Sequence, residues 1–467
     1  MSNLKFSELP IKVDILENLV FLGYDQMTPI QAASLPHILK GQDLIGHAKT
    51  GSGKTASFAI GLLSKLDVQN KDVQALVLCP TRELSEQVCK EIRKIARLIP
   101  NIKITTLCGG NPMQAQEAFL KNGVHCIVGT PGRVRDHILK RNIYLGNLET
   151  LVFDEADRML EMGFLYDMTE IVSHTPKRRQ TLLFSATYPE NIQSLSEDFQ
   201  KDAVLVKADT DLRSLNIEHR FFEKNGSHDL SLLSQILGHY RPQSTLIFCN
   251  TKQKCQDLAT DLQRKGYHAQ SLHGDLEQRE RDEALVLFSN KSLSILVATD
   301  VAARGLDIKD LEAVINFDLA VDPEVHVHRI GRTGRAGSQG LAFTLFNSFE
   351  SKRLSAIETA QGQEINFGSR ETLLSSSDEM GIVPPMGTLR ISCGRKNKLR
   401  AGDVLGALTA NSNLLGSDVG KIDICETHSF VAVNRAKLNL ALKVLSEEKI
   451  KGRFLKVMIL GATRSLD

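Results

Sequence analysis

Two short runs in this 467-residue chain have the residue types and spacing to do chemistry. They are Ala48-Lys49-Thr50-Gly51-Ser52-Gly53-Lys54-Thr55 and, about a hundred residues later, Asp154-Glu155-Ala156-Asp157. The first has the composition of a phosphate-binding loop. Its glycines keep side chains out of the way, so backbone N–H groups can turn inward on phosphates at the N-terminus of the next helix. Lys54 can neutralise the terminal phosphates, and the Thr55 hydroxyl can ligate magnesium. The first position of the usual pattern is Ala48 rather than glycine. Taken alone, such a loop could be only a Gly/Ser-rich turn.

The acidic run argues against the bland alternative. Asp154 and Glu155 end Thr150-Leu151-Val152-Phe153, a short apolar stretch with the character of a buried parallel strand. Carboxylates there lie at the carboxyl edge of a sheet, where α/β proteins bind ligands. Asp154 can orient a magnesium ion, and Glu155 can polarise the water that attacks the terminal phosphate. The two runs together predict a chain that binds and hydrolyses ATP with Mg2+, Lys54 and Glu155 being its first catalytic candidates.

Such a site needs a parallel sheet to hold it. Through about residue 207, apolar stretches such as Gln74–Cys79, Cys126–Gly129 and Thr181–Phe184 alternate with helix-like segments. Residues 218–366 repeat the theme with Ser244–Cys249 and Leu293–Thr299, but without a phosphate loop. We expect an α/β protein of two tandem parallel-sheet domains, 1–207 and 208–368, then a linker, 369–385, and a C-terminal domain, 386–467. The second half contributes arginine: His328-Arg329-Ile330-Gly331-Arg332-Thr333-Gly334-Arg335 sets Arg332 and Arg335 three residues apart. Arginines delivered from a second domain stabilise transition-state charge, with effects of roughly 10³–10⁵ in rate.

Composition fits a soluble globular protein, 42% hydrophobic and 24% charged, with no apolar run long enough to span a membrane. The eight cysteines form no C-x-x-C pair and read as reduced, buried thiols of a cytoplasmic protein. The net charge of +2 hides an asymmetry. Residues 386–467 hold fourteen Lys/Arg against seven Asp/Glu, so a basic appendage follows a slightly acidic body. That is the footprint of a tethered polyanion-binding module.

Over residues 6–366 these motifs, in this order, resemble the DEAD-box RNA helicases, which implies that the two tandem parallel-sheet domains are RecA-like. The resemblance implies that Gly23-Tyr24-Asp25-Gln26-Met27-Thr28-Pro29-Ile30-Gln31 reads adenine, with Gln31 hydrogen-bonded to its edge and Tyr24 stacked on it, and that Phe6 is the upstream aromatic. It makes Asp307 a ribose contact and gives Asp157, Ser185, Thr187 and His328 the coupling of nucleotide state to domain closure. Thr81, Arg82, Gly110, Thr130 and Arg133 match the RNA-backbone motifs of the first half, and Gln278, Arg281 and Thr299 extend the track across the second. Contacts to phosphate and 2′-OH would select RNA without reading sequence. RNA spanning both halves would favour closure, and the closed state would pry a short duplex apart.

Residues 386–461 read as β-α-β-β-α-β, an RRM-like α+β domain, with Phe454–Met458 as its last strand. The usual stacking aromatics are scarce, and positive charge gathers instead in two loops. Lys396, Lys398 and Arg400 lie in one, Lys451 and Arg453 in the other, and these are the candidate RNA contacts. The layout is similar to that of the DbpA-type branch of the family over the whole chain. It implies a tail that recognises a hairpin of large-subunit ribosomal RNA and a monomeric helicase acting on pre-ribosomal particles in large-subunit assembly. Two other readings stand beside it: a passive RNA-binding scaffold, and a general helicase whose tail adds only nonspecific affinity.

Overall fold

The computed structural model describes the chain apart from residues 1–4, 49–51, 186, 188–189, 208–215, 225, 227–228, 304–310, 335–338, 374–380, 411–412 and 462–467. In the first unit, β1 (Leu44–His47), β2 (Ala75–Leu78), β3 (Ile104–Leu107), β4 (Cys126–Gly129), β5 (Thr150–Phe153), β6 (Gln180–Ser185) and β7 (Val204–Lys207) form one sheet. Their order is β3-β4-β2-β5-β6-β1-β7, and every pairing is parallel. Strands of four apolar residues suffice because both faces are covered. Leu44, Val77, Val152 and Leu182 point to one core, against Phe58, Leu62, Val88 and Ile92 of the helices Lys54–Lys65 and Arg82–Ile95. Ile45, Leu76, Leu151 and Leu183, one residue away in each strand, point to the other core, against Val134, Ile138, Met168 and Ile171.

The second unit opens with a sheet of the same kind: β8 (Ile217–Glu223), β9 (Thr245–Cys249), β10 (Ala269–Leu272), β11 (Ile295–Thr299), β12 (Ala313–Asn316) and β13 (Gly340–Phe346). The order is β10-β11-β9-β12-β13-β8, again all parallel. The C-terminal domain belongs to this unit. Its strands β14 (Met386–Ile391), β15 (Val419–Ile424), β16 (Ser429–Asn434) and β17 (Val457–Ile459) form an antiparallel sheet in the order β15-β16-β14-β17. The helices Ala401–Thr409 and Leu438–Glu447 pack on one face over Leu389, Ile391, Val431 and Val433. The last strand begins three residues later than the sequence suggests. Lys451 and Gly452 have φ of 52° and 78°, and Ile450 bridges to Arg453, so the chain is still turning there and Phe454 is left in the loop.

The opposite face of this small sheet lies against the second parallel-sheet domain. The Thr388 hydroxyl meets Asn290 Nδ2 at 3.2 Å and Ser292 Oγ at 2.8 Å, while Met386 N–H donates to the Lys291 carbonyl. Arg390 reaches Glu283 at 3.9 Å. Arg435 donates to the carbonyls of Pro384, Met386 and Ser292 at 2.7, 2.9 and 3.2 Å, so one guanidinium satisfies three carbonyls where the domains join. Phe430 and Ala432, which alternate with the core residues of β16, are buried there too. The charge asymmetry suggested a tethered appendage; the fold shows the module seated directly on the domain before it.

Candidate nucleotide site and nucleic-acid interface

Three neighbouring strands, β5, β6 and β1, deliver the chemistry of the first unit from their carboxyl ends. After β1 comes the phosphate loop, of which Lys49, Thr50 and Gly51 lie outside the described residues. Ala48 is buried and donates its N–H to the Ser185 carbonyl, tying the loop to β6. Gly53 has φ +99°, and a Cβ there would come within 2.6 Å of Gln31 Nε2 and 2.8 Å of Thr28 Oγ1. Only glycine fits that turn. Lys54 and Thr55 then open the helix Lys54–Lys65.

Lys54 Nζ, Asp154 Oδ1, Ser52 Oγ and Ser185 Oγ are all buried without a hydrogen-bond partner among the described residues. Buried polar groups normally find partners, so such a concentration marks a place built to meet a ligand of its own. Burial pushes the Asp154 carboxyl up to about 6, against the pull of Lys54. Near pH 4 the folded carboxyl is neutral and the unfolded one about half ionised, so the penalty is small; above about pH 6 the folded protein carries the whole cost of a buried charge. Asp154→Asn should therefore raise the melting temperature of the nucleotide-free protein by a few degrees near pH 7.5 and hardly at all near pH 4, while destroying ATP turnover. Thermal melts at the two pH values check this.

Glu155 follows with φ 54° and ψ 53°, a left-handed conformation costly for a residue with a Cβ, and is buried at the start of the helix Ala156–Glu161. Asp157, two residues on, accepts from both the N–H and the hydroxyl of Thr187, at 3.1 and 3.0 Å through the same Oδ2. The acidic run and the segment after β6 are thus physically joined.

On the base side, Thr28 N–H donates to Gln31 Oε1 at 2.8 Å, and Gln31 Nε2 donates to the Gly53 carbonyl at 3.3 Å. One lone pair and one N–H of the amide have no partner among the described residues. Phe6 is buried in the core with its ring 6.3 Å from that of Tyr24, edge to face, so it braces the tyrosine.

Among the first-unit RNA candidates, Thr81 caps the helix Arg82–Ile95, its Oγ1 accepting from Leu84 N–H, and Arg82 pairs with Glu86 at 3.1 Å. Thr130 precedes the helix Pro131–Leu139. Arg133 donates to the Asn111 carbonyl and to Gln116 Oε1 at 2.8 and 2.9 Å, holding the turn that contains Gly110, whose φ is +80°. All lie at the carboxyl edge of β2, β3 and β4, on the far side of β5 from β6 and the phosphate loop.

In the second unit, Thr299 ends β11, and Gln278 and Arg281 occupy the first turn of the helix Gln278–Ser289, Gln278 bonded to Asp282. Sequence reasoning assigned no separate role to Arg329. It is 2% exposed and forms a fork-to-fork pair with Asp300 at 2.7 Å on both arms. It also donates to Asn250 Oδ1 at 2.8 Å and to the Asp318 carbonyl at 2.7 Å, so it clips together the ends of three neighbouring strands, β11, β9 and β12. That clip sits at the end of the helix Pro323–Ile330, which carries His328, with Arg332 on the turn that follows. Arg335 and Asp307 lie outside the described residues.

The covered face of the C-terminal domain accounts for its missing aromatics: the centre of the surface an RRM would use for stacking is occupied by protein. Its basic loops remain exposed. Lys451 Nζ pairs with Asp403 at 2.8 Å and donates to the Lys398 carbonyl, joining Lys396, Lys398 and Arg400 to Lys451 and Arg453 as one surface. Phe454 stands beside it, 65% exposed, with Lys449 Nζ 5.3 Å from the ring centre. Assigning Phe454 to a strand hid it, although an aromatic directly after Lys451-Gly452-Arg453 was the available signal.

A phosphate loop beside an acidic pair on one parallel sheet, a second such sheet carrying an arginine-rich turn, and a basic α+β domain are together the parts of a DEAD-box helicase. Residues 28–195 match the DEAD/DEAH box helicase family, 228–337 the helicase conserved C-terminal domain, and 388–459 the DbpA RNA binding domain. The chain is 49% identical to the ATP-dependent RNA helicase DbpA of Escherichia coli, over 95% of this chain and 97% of that one. To DbpA of Bacillus subtilis it is 38% identical, over 97% and 98%. A solved structure of Saccharomyces cerevisiae Dbp5 bound to RNA and ADP BeF3 superposes with a TM-score of 0.71 at 28% identity, over 79% of this chain and 96% of that one. The chain belongs to the DbpA-type DEAD-box ATP-dependent RNA helicases. It is an RNA-dependent ATPase, and among the described residues no helix is long and apolar enough to cross a membrane.

Proposed function

We propose that the chain uses ATP to separate short RNA duplexes within large-subunit ribosomal RNA during assembly of that subunit, its C-terminal domain choosing the RNA. The observation that carries the ATP chemistry is the set of buried, unpartnered groups at Lys54, Asp154, Ser52 and Ser185. They fit a triphosphate with its magnesium: Thr55 and Asp154 would hold the ion, which when bound supplies charge neutralisation of the phosphates. Lys54 draws the terminal phosphate in, Glu155 takes a proton from the attacking water, and Arg332 offsets charge on the transferring group. Ser185 and Thr187, the latter held by Asp157, report the state of the nucleotide to the rest of the fold.

The choice of RNA rests on the exposed basic surface of the C-terminal domain and on its family. With the sheet centre covered, a structured RNA would be gripped at its phosphates by Lys396, Lys398, Arg400, Lys451 and Arg453, and an unpaired base would stack on Phe454. Steady-state ATPase activity with large-subunit ribosomal RNA, against an equal mass of unrelated RNA, tests this. Strong preferential stimulation is the expected result. Equal stimulation would leave a general helicase with a basic anchor, whose RNA affinity falls steeply with salt and favours no sequence. Phe454→Ala should weaken binding of the preferred RNA by about 1–3 kcal/mol, roughly 5- to 150-fold, and leave unrelated RNA nearly unaffected; filter-binding titrations of both RNAs check it.

A further inference from the structure

We propose that Glu91 is a positioning residue for recognition of the nucleotide base, acting through the hydroxyl of Tyr24. Tyr24 Oη donates to Glu91 Oε1 at 2.6 Å, within the range of a short charge-assisted hydrogen bond. The two residues are 67 apart in sequence and meet because the segment before the helix Pro29–Leu39 crosses the end of the helix Arg82–Ile95. Lys94, three residues from Glu91 and so on the same face of that helix, pairs with it at 3.8 Å and holds its ammonium 5.5 Å from the centre of the Tyr24 ring. Phe6 closes the ring's edge.

Stacking on a base needs only an aromatic ring, and phenylalanine would supply one. The hydroxyl adds a fixed orientation. The torsion that turns an aromatic ring about its own axis is broad, so an unheld ring spreads over many planes and must be ordered when the base arrives. Here Glu91 pins the far end of the ring, Phe6 braces an edge and Lys94 occupies a face. Burial and the nearby Glu91 charge keep the phenol protonated far above its ordinary value, so it remains a donor at every physiological pH. The anchoring helix begins at Thr81 and Arg82, two of the candidate RNA contacts, so platform and RNA contact share one rigid element about 20 Å long.

This inference rests on the reading that Tyr24 stacks on adenine, and the test separates the two. In the full chain, Tyr24→Phe and Glu91→Ala should each raise the Kd for ADP, and the KM for ATP at saturating RNA, by about three- to tenfold. The kcat of Glu91→Ala at saturating ATP should not change. Because both remove one interaction, the double variant should bind no more weakly than either single, and Glu91→Gln, which keeps an acceptor oxygen, should recover part of the loss. Tyr24→Phe is isosteric, so a lost fold cannot account for its effect. Unchanged Kd in Tyr24→Phe and Glu91→Ala, beside weakened binding in Tyr24→Ala, would overturn the role of Glu91 and leave the stacking intact. Strictly additive losses in the double variant would also overturn it. An unchanged Kd in Tyr24→Ala would remove the stacking reading itself, and the inference with it.

Discussion

Glu155→Gln should lower RNA-stimulated ATP turnover by about 10²–10⁴-fold while nucleotide binding persists. The substitution keeps size and hydrogen-bonding capacity and removes only the ability to accept a proton from water. Its position argues that this ability is what the fold preserves. The residue occupies a left-handed backbone conformation, normally left to glycine, at the junction of β5 and the helix Ala156–Glu161. A glycine there would relieve the backbone strain, and the buried carboxylate that stands in its place fits a chemical role. The neighbouring groups that would hold phosphate and magnesium, Lys54 and Asp154, are untouched by the change, and so is the Asp157–Thr187 link. The checking measurement is phosphate release with and without RNA, paired with ADP binding by calorimetry. Turnover within a factor of two of the parent would refute the assignment of Glu155 as base.

Arg332→Ala should cost about 10³–10⁵ in kcat, the range for a guanidinium that neutralises charge on a transferring phosphoryl group. Arg332→Lys should recover little, because an ammonium cannot present two parallel donors to phosphate oxygens. The local fold makes the experiment clean. Arg329, not Arg332, is the buried clip between β11, β9 and β12, so removing Arg332 leaves the strand ends held. Removing Arg329 would instead strand the Asp300 carboxylate and destabilise the second domain by several kcal/mol. Kinetics at saturating RNA, read beside thermal melts, separate the pair. For Arg332 a turnover defect far larger than any change in the melt is expected, and for Arg329 a lowered melt. Unchanged turnover in Arg332→Ala would exclude it from the reaction.

Much of this was legible in the sequence because it is local. A loop that cradles phosphate needs its glycines within a few residues of Lys54 and Thr55. A strand buried on both faces must be an unbroken apolar run, as Thr150–Phe153 is. The order of apolar runs and helices therefore announced two parallel sheets and an antiparallel one, and the apolar run before Asp154 and Glu155 announced that they would stand at a strand end.

What the tertiary structure alone decided are the contacts between residues far apart in the chain. Strand order sets them, and strand order follows from packing rather than from any local pattern. It puts β6 between β5 and β1, so that the segment carrying Ser185 and Thr187 meets both the phosphate loop and the acidic run. It makes Arg329 a clip rather than another arginine of its run. It joins Tyr24 to Glu91, and Lys451 to Lys398. It also covers the open face of the C-terminal sheet, since Thr388, Phe430 and Ala432 are small or apolar residues that gain by leaving water, while lysine and arginine loops, costly to desolvate, stay exposed at its rim.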